Sequence, residues 1–228
     1  MDALDFFHSP NGVDFDAAAR SGNIQNIHHL ARYHWAKEVA IGCSAKTILD
    51  VGCGSGYGAY IIAAGNPSAS VIGIDSSSKA IELANSEYKL PNLSFFIGDA
   101  CSWSHIKGAK QAEALGEFDL ICAFDLIANL SFREIFLLRV AGALSRQGAL
   151  LLSTPCSKFN STLLYDGGVP KIEFGYKDLR TLLSLFFHEV YSAVEPGFFY
   201  PDFWAKRVNG EKIIYDTKNN PLICRNTK

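Results

Sequence analysis

Four glycines, Gly52, Gly54, Gly56 and Gly58, fall within seven positions, directly after an apolar run of Ile48, Leu49 and Val51 that Asp50 interrupts. Glycine adopts positive φ without steric cost and lets a ligand lie close against the backbone. A helical apolar pattern through Tyr60, Ile61 and Ile62 follows, and a helix start leaves backbone N–H groups without intrahelical acceptors. Strand, glycine loop and helix together make a nucleotide-binding turn. Three more carboxylates recur along the chain: Asp75, 19 residues after Gly56, then Asp99 and Asp125. A carboxylate placed as Asp75 is can accept both ribose hydroxyls of a nucleoside. Asp99 can accept a hydrogen bond from an exocyclic adenine amine, and Asp50 can orient the loop or face a cationic group.

These residues need a scaffold, and the pattern supplies one. Residues 23–41 read as a helix, with Ile27, Leu30, Ala31, His34, Trp35 and Val39 on one face and Gly42 as the stop. Strands are expected at 47–51, Ser70–Ile74, Leu93–Ile97, Phe118–Phe124, Ala149–Ser153, Phe187–Val194 and Phe203–Val208. Helices are expected between them at 57–64, from Ser78 on through Ala84, weakly at 103–113, at 131–144 with Phe132, Ile135, Phe136, Leu138 and Val140 inward, and at Tyr176–Leu185. This alternation implies an α/β fold, a parallel sheet covered on both faces. The last two strands are joined by a Pro196-Gly197 turn, so that pair is expected to be antiparallel. Gly52 to Gly58, Asp75, Asp99 and Asp125 all lie at carboxyl ends of strands, where ligands bind in such sheets.

Composition bounds the partners. The chain has 228 residues, 48% of them hydrophobic, with a net charge of −2, enough for one core-forming α/β domain. There is no basic block, so nucleic acid is an unexpected partner. No apolar run approaches a membrane span and no leader opens the chain, so a cytoplasmic protein is expected. Six cysteines are scattered without a C-x-x-C pair, and six histidines fall outside metal-ligand spacing, so neither zinc nor a disulfide framework is expected. Residues 1–42 read as an N-terminal arm and cap helix, 43–208 as the nucleotide-binding domain, and 209–228 as a loose polar tail.

The constellation resembles the class I S-adenosylmethionine-dependent methyltransferases, specifically their small-molecule, type 11 or ubiquinone-biosynthesis-like branch. The matching strings are Leu49-Asp50-Val51-Gly52-Cys53-Gly54-Ser55-Gly56, Ile74-Asp75-Ser76, Phe96-Ile97-Gly98-Asp99-Ala100 and Phe118-Asp119-Leu120-Ile121, within about residues 30–195. The resemblance implies a Rossmann-like doubly wound, seven-stranded sheet, mostly parallel with an antiparallel last strand. It implies S-adenosylmethionine as cofactor, with its methionine part over Gly52, Cys53, Gly54 and Gly56 and its ribose on Asp75. The adenine would rest near Ser76, Asp99 and Ala100, with Asp50 and Phe124 also at the cofactor. Arg32-Tyr33 matches an Arg-Tyr pair that precedes the glycine motif in this branch and would close over the cofactor, and Glu173-Phe174 before Tyr176 also looks like it. The implied activity is methyl transfer to the oxygen or nitrogen of a small organic acceptor.

Other readings stay open. Gly54-x-Gly56-x-x-Ala59 also fits a dinucleotide turn, so an NAD-dependent oxidoreductase is one alternative. A non-catalytic nucleotide-binding or partner module is another. Pro155-Cys156-Ser157 allows a nucleophilic thiolate, although no basic cluster would lower its pKa. Asp125 is the best-placed polar candidate for a catalytic role, with His8, His28 and His29 as further possible bases. The acceptor pocket is expected between the arm 1–30, residues 125–130 and the long non-helical stretch 155–175, with Phe6, Phe7, Phe159, Tyr165 and Phe174 as aromatic walls.

Overall fold

A computed structural model describes residues 24–102, 117–157, 160–166, 169–192 and 222–225. Helix α1 (Ile24–Gly42) leads into β1 (Thr47–Val51), α2 (Tyr57–Gly65), β2 (Ser70–Asp75), α3 (Ser78–Glu87) and β3 (Leu93–Ile97). Then come β4 (Phe118–Phe124), a 3-10 turn (Ile127–Asn129), α4 (Arg133–Ala143) and β5 (Leu144–Ser153). The chain continues through β6 (Cys156–Ser157), β7 (Thr162–Asp166), β8 (Val169–Gly175), α5 (Tyr176–Ser184), β9 (Glu189–Ser192) and β10 (Leu222–Arg225).

Seven strands form one sheet in the order β3-β2-β1-β4-β5-β10-β9. β1 is parallel to β2 on one side and to β4 on the other, so the chain reverses its direction of travel across the sheet at β1. That switch point opens a crevice at the carboxyl ends of β1 and β4, the place where open α/β sheets take ligands.

Strand alternation sorts the core into two layers. Ile48, Leu120, Cys122, Phe124 and Leu151 face α1, α2 and α3. Leu49, Val51, Ile121, Leu150 and Leu152 face α4 and α5. Asp50 stands between Leu49 and Val51 in β1, so its side chain points into the first layer, where it is fully buried. Helix α1 is buried on nearly all sides from Leu30 to Ala36, which marks an interior helix rather than a surface one.

Three expectations need correction. Phe132, Ile135 and Leu138 do not face inward: Phe132 is 63% and Leu138 64% exposed, while Phe136, Leu137 and Val140 carry the buried stripe. Both sets have helical spacing, and only the angle at which α4 meets the sheet selects one. The stretch 155–175 is no open loop, since β7 and β8 pair as an antiparallel hairpin, with β6 added parallel to β8. The segment 209–228 is no loose tail throughout, because Leu222–Arg225 enters the main sheet antiparallel to both β5 and β9. The arm 1–22, the helix at 103–113 and the strand Phe203–Val208, together with its Pro196-Gly197 turn, lie outside the described residues.

Candidate active site

The glycine loop is tied to the end of β2: Gly52 and Cys53 donate their backbone N–H groups to the Ile74 carbonyl at 2.8 and 3.0 Å. Gly56 sits at φ +89° as the N-cap of α2 and offers no side-chain cap. A Cβ at Gly56 would stand 2.6 Å from Ala84 Cβ and 2.7 Å from Phe95 Cζ. A Cβ at Gly58 would run into the Tyr33 ring. The four glycines therefore do different work: Gly56 shapes the loop through its positive φ, and Gly58 makes room for an aromatic ring from α1.

That ring reaches Asp50. Tyr33 OH donates to Asp50 Oδ1 at 3.4 Å, and Oδ2 of the same carboxyl is buried without a partner among the described residues. Burial pushes the Asp50 carboxyl up to about 7, against the Tyr33 hydrogen bond and with help from the Asp75 charge. A long hydrogen bond and an orphaned oxygen leave Asp50 under-satisfied, which is the condition in which a carboxylate gains most from a cationic ligand. Tyr33 packs edge-on against Tyr57 (centroids 5.3 Å apart) and Phe124 (5.0 Å). Phe124, the last residue of β4, is itself buried.

Asp75 reaches toward the loop instead of standing clear of it. Its Oδ2 accepts from Gly54 N at 3.0 Å and its Oδ1 from Ser77 N at 2.9 Å. Ser77 in turn caps α3 by accepting from Ala80 N. Each Asp75 oxygen keeps lone-pair capacity for a further donor such as a ribose hydroxyl. Asp99 lies at the next strand end, with Cys101 N (2.8 Å) and Ser102 Oγ (3.3 Å) donating to its Oδ1. Gly98 N donates to the Asp75 carbonyl at 3.0 Å, so the two acidic turns are joined. Ser76 is exposed and Ala100 buried beside them.

Asp125 follows β4 at φ +55°, a left-handed conformation unusual for a residue other than glycine. Its N–H donates to the Ser153 carbonyl at 2.8 Å, and its own carbonyl accepts from Asn129 Nδ2 at 2.9 Å. Asp125 Oδ2 meets Arg32 Nη1 at 2.7 Å and His29 Nε2 at 3.1 Å, while Oδ1 is buried without a partner among the described residues. Arg32 is only 1% exposed. The consecutive residues Arg32 and Tyr33 therefore bind different carboxylates: Tyr33 goes to the glycine loop and Arg32 to the end of β4. The Arg32–Asp125 pair is not visible in the sequence, because 93 residues separate its partners.

Beside this cluster is a cavity of about 320 Å³. His29, Asp125 and Asn129 form one wall, and Pro155, Leu164, Lys171 and Glu173 form the other. Of the expected aromatic walls, only Phe174 falls among the residues whose side chains are described. Phe174 is in the core instead, under the Arg133 guanidinium at 6.0 Å; Phe6, Phe7, Phe159 and the Tyr165 side chain lie outside the described residues. Cys156 is buried, and that burial together with the Glu173 charge pushes its thiol up to about 12. A thiol held in its protonated form at neutral pH is a poor nucleophile. The Cys53 thiol is likewise raised well above its usual value by burial.

A doubly wound sheet with a glycine loop at its switch point and a polar cavity beside it defines a nucleotide-binding enzyme domain. A family model described as a methyltransferase domain matches residues 43–184, and the chain belongs to that family. Among curated relatives, a trans-aconitate 2-methyltransferase of Methylobacterium radiotolerans is 34% identical over 110 residues, 48% of this chain and 38% of the relative. A phthiotriol/phenolphthiotriol dimycocerosates methyltransferase of Mycobacterium leprae is 40% identical over 76 residues, 33% of this chain and 27% of that one. The chain thus spans well under half the length of these two relatives. Among solved structures, the 1,6-didemethyltoxoflavin-N1-methyltransferase of Burkholderia thailandensis aligns with TM-score 0.58 at 16% identity, over 100% of this chain and 92% of that one. The N-terminal domain of EvdMO1, in the presence of SAH and D-fucose, aligns with TM-score 0.58 at 15% identity, over 86% and 82%. At these identities the structural likeness speaks for the fold. Among the described residues, no helix is long and apolar enough to cross a membrane.

Proposed function

We propose that the protein is an S-adenosylmethionine-dependent methyltransferase of a small organic acceptor, in the small-molecule, type 11-like branch of its family. The observation that carries the cofactor is Asp50: a fully buried carboxyl with an orphaned Oδ2, directly before the glycine loop. An amino-acid ammonium over Gly52 to Gly56 satisfies that oxygen, and a dinucleotide pyrophosphate would be repelled by it. Asp75 and Ser76 hold the ribose, Asp99 and Ala100 border the adenine, and Cys53, Tyr33 and Phe124 line the methionine side. Arg32 acts one step away, by fixing Asp125. The catalytic domain extends from 43 through the β10 strand, with 155–175 as the acceptor side.

When bound, the cofactor supplies an electrophilic methyl on a positively charged sulfur. The protein's task is then to align donor and acceptor and keep water out, so catalysis rests on positioning. The glycine loop holds one reactant, and the cavity between α1 and the β7–β8 hairpin holds the other. Both relatives named above are methyltransferases of organic molecules, which supports an organic acceptor.

Thermal shifts test the reading. S-adenosylmethionine and S-adenosylhomocysteine should each raise the unfolding midpoint, and NAD should not; stabilisation by NAD alone overturns the proposal. Labelled S-adenosylmethionine incubated with fractionated metabolites, followed by mass identification, then names the acceptor.

A further inference from the structure

We propose that the methyl acceptor carries a positively charged amine and that Glu173 is the residue that recognises it; this rests on the methyltransferase reading above.

The hairpin decides which way Glu173 faces. Side chains alternate along a strand. In β8, Phe174 is buried in the second core layer, and Ile172 packs against the same layer. Lys171 and Glu173 therefore take the other face. Leu164 stands opposite Lys171, and Thr162 opposite Glu173, in the β7–β8 register. Leu164 thus shares the face of Glu173 and is its diagonal neighbour. Leu164, Lys171 and Glu173 all line the cavity. This wall has an acidic end and an apolar flank, with Leu164 45% exposed.

The charges around the cavity are unevenly matched. Across from the hairpin, Asp125 is paired with the buried Arg32 and with His29. Lys171 is engaged as well. Among the described residues, no side chain donates a hydrogen bond to the Glu173 carboxylate or pairs with its charge. That charge is still felt in the fold, since it helps to push up the Cys156 thiol. A carboxylate partly withdrawn from water gains most from a cation that brings N–H donors with it. A cavity of about 320 Å³ is the size that takes a small organic molecule.

Recognition and transfer then fall on different atoms. An ammonium has no lone pair, so the group held at Glu173 does not itself take the methyl. The accepting atom lies elsewhere in the same molecule, on the side of the glycine loop. A simple alkylamine is protonated at neutral pH, as lysine is with a pKa of about 10.4, so the recognised charge is present during turnover. Leu164 and Pro155 cover the carbon skeleton that joins the two ends.

Two measurements test this. Labelled S-adenosylmethionine is offered metabolites separated on a strong cation exchanger at about pH 3, where amines are retained whatever else the molecule carries. Acceptor activity should be in the retained fraction. Activity confined to the flow-through overturns the proposal and leaves the methyltransferase reading standing. With the active fraction, Glu173→Gln should raise the acceptor KM by about tenfold or more, with kcat and S-adenosylhomocysteine affinity within about threefold. The wild-type KM should also rise with added salt, and that of Glu173→Gln should not. Glu173→Asp keeps the charge and should keep the salt dependence. An unchanged KM in a Glu173→Gln enzyme that melts with the wild type, or a salt response that Glu173→Asp loses, overturns the proposal. A wild-type protein that binds the cofactor and methylates no fraction sinks both readings.

Discussion

The Tyr33 hydroxyl and the Asp50 carboxyl meet at 3.4 Å inside a buried shell, one oxygen weakly bonded and the other without a partner among the described residues. Burial, opposed by that Tyr33 bond and reinforced by Asp75, lifts the carboxyl from 3.8 to about 7. Such a group holds more protons folded than unfolded between those two values. The ligand-free protein should therefore lose stability as pH rises from about 4 to about 7, by up to about 4 kcal/mol from this group alone. Asp50→Asn should flatten that slope in denaturant titrations at several pH values. A ligand-free slope identical in wild type and variant would remove Asp50 as its source.

The same residue should control cofactor affinity in the opposite sense. A cationic ligand group favours the ionised carboxyl, so S-adenosylmethionine should bind more tightly as pH rises through about 7. Calorimetry on Asp50→Asn should show affinity reduced by roughly tenfold or more and insensitive to pH in this window. Affinity equal to wild type would place the ammonium elsewhere.

Gly58 tests whether Tyr33 packs on the first turn of α2. Gly58→Ala puts a methyl into the Tyr33 ring, and overpacking of this kind costs about 1–3 kcal/mol. Gly42→Ala, whose added Cβ meets nothing within 4 Å, is the control and should be neutral or mildly stabilising. Thermal unfolding of both variants checks the pair; equal midpoints would mean α1 does not sit where the structure has it.

The Arg32–Asp125 pair should matter to stability because one partner is almost wholly buried. Asp125→Ala leaves the Arg32 guanidinium uncompensated and should cost about 3–5 kcal/mol. Asp125→Asn should cost less, since it keeps a hydrogen-bond acceptor and tolerates positive φ. Urea melts of the two variants would settle the order, and a reversed order would mean the pair is solvent-screened.

Cys156 should behave as a core residue. At pH 8 an aromatic disulfide reagent should label exposed Cys43 and leave Cys156 unmodified until the chain unfolds, because its thiol is raised to about 12. Cys156→Ala should retain methyl transfer. Loss of transfer at unchanged stability would restore the thiol to the chemistry.

Much of this protein is written in local sequence. The glycine spacing after Ile48–Val51, the strand-end positions of Asp75 and Asp99, and the alternation of apolar runs all depend on residues close along the chain. Backbone sterics and side-chain periodicity therefore made the sheet, the loop and the switch point legible, and with them the place proposed for the cofactor. The rest depends on contacts between distant segments. Helical periodicity admitted two apolar stripes on α4, and packing chose Phe136, Leu137 and Val140. Nothing local announced that Leu222–Arg225 would slot between β5 and β9, since a four-residue strand has its hydrogen-bond partners far away in sequence. Asp125 could be placed at the end of β4 by pattern, but the burial of Arg32 against it, the approach of His29 and the polar character of the cavity emerged only when α1, β4 and the β7–β8 hairpin came together in space. The proposed cofactor side rests on a single strand-turn-helix unit and its neighbours, whereas the proposed acceptor side is assembled from three segments whose proximity only the tertiary fold decides.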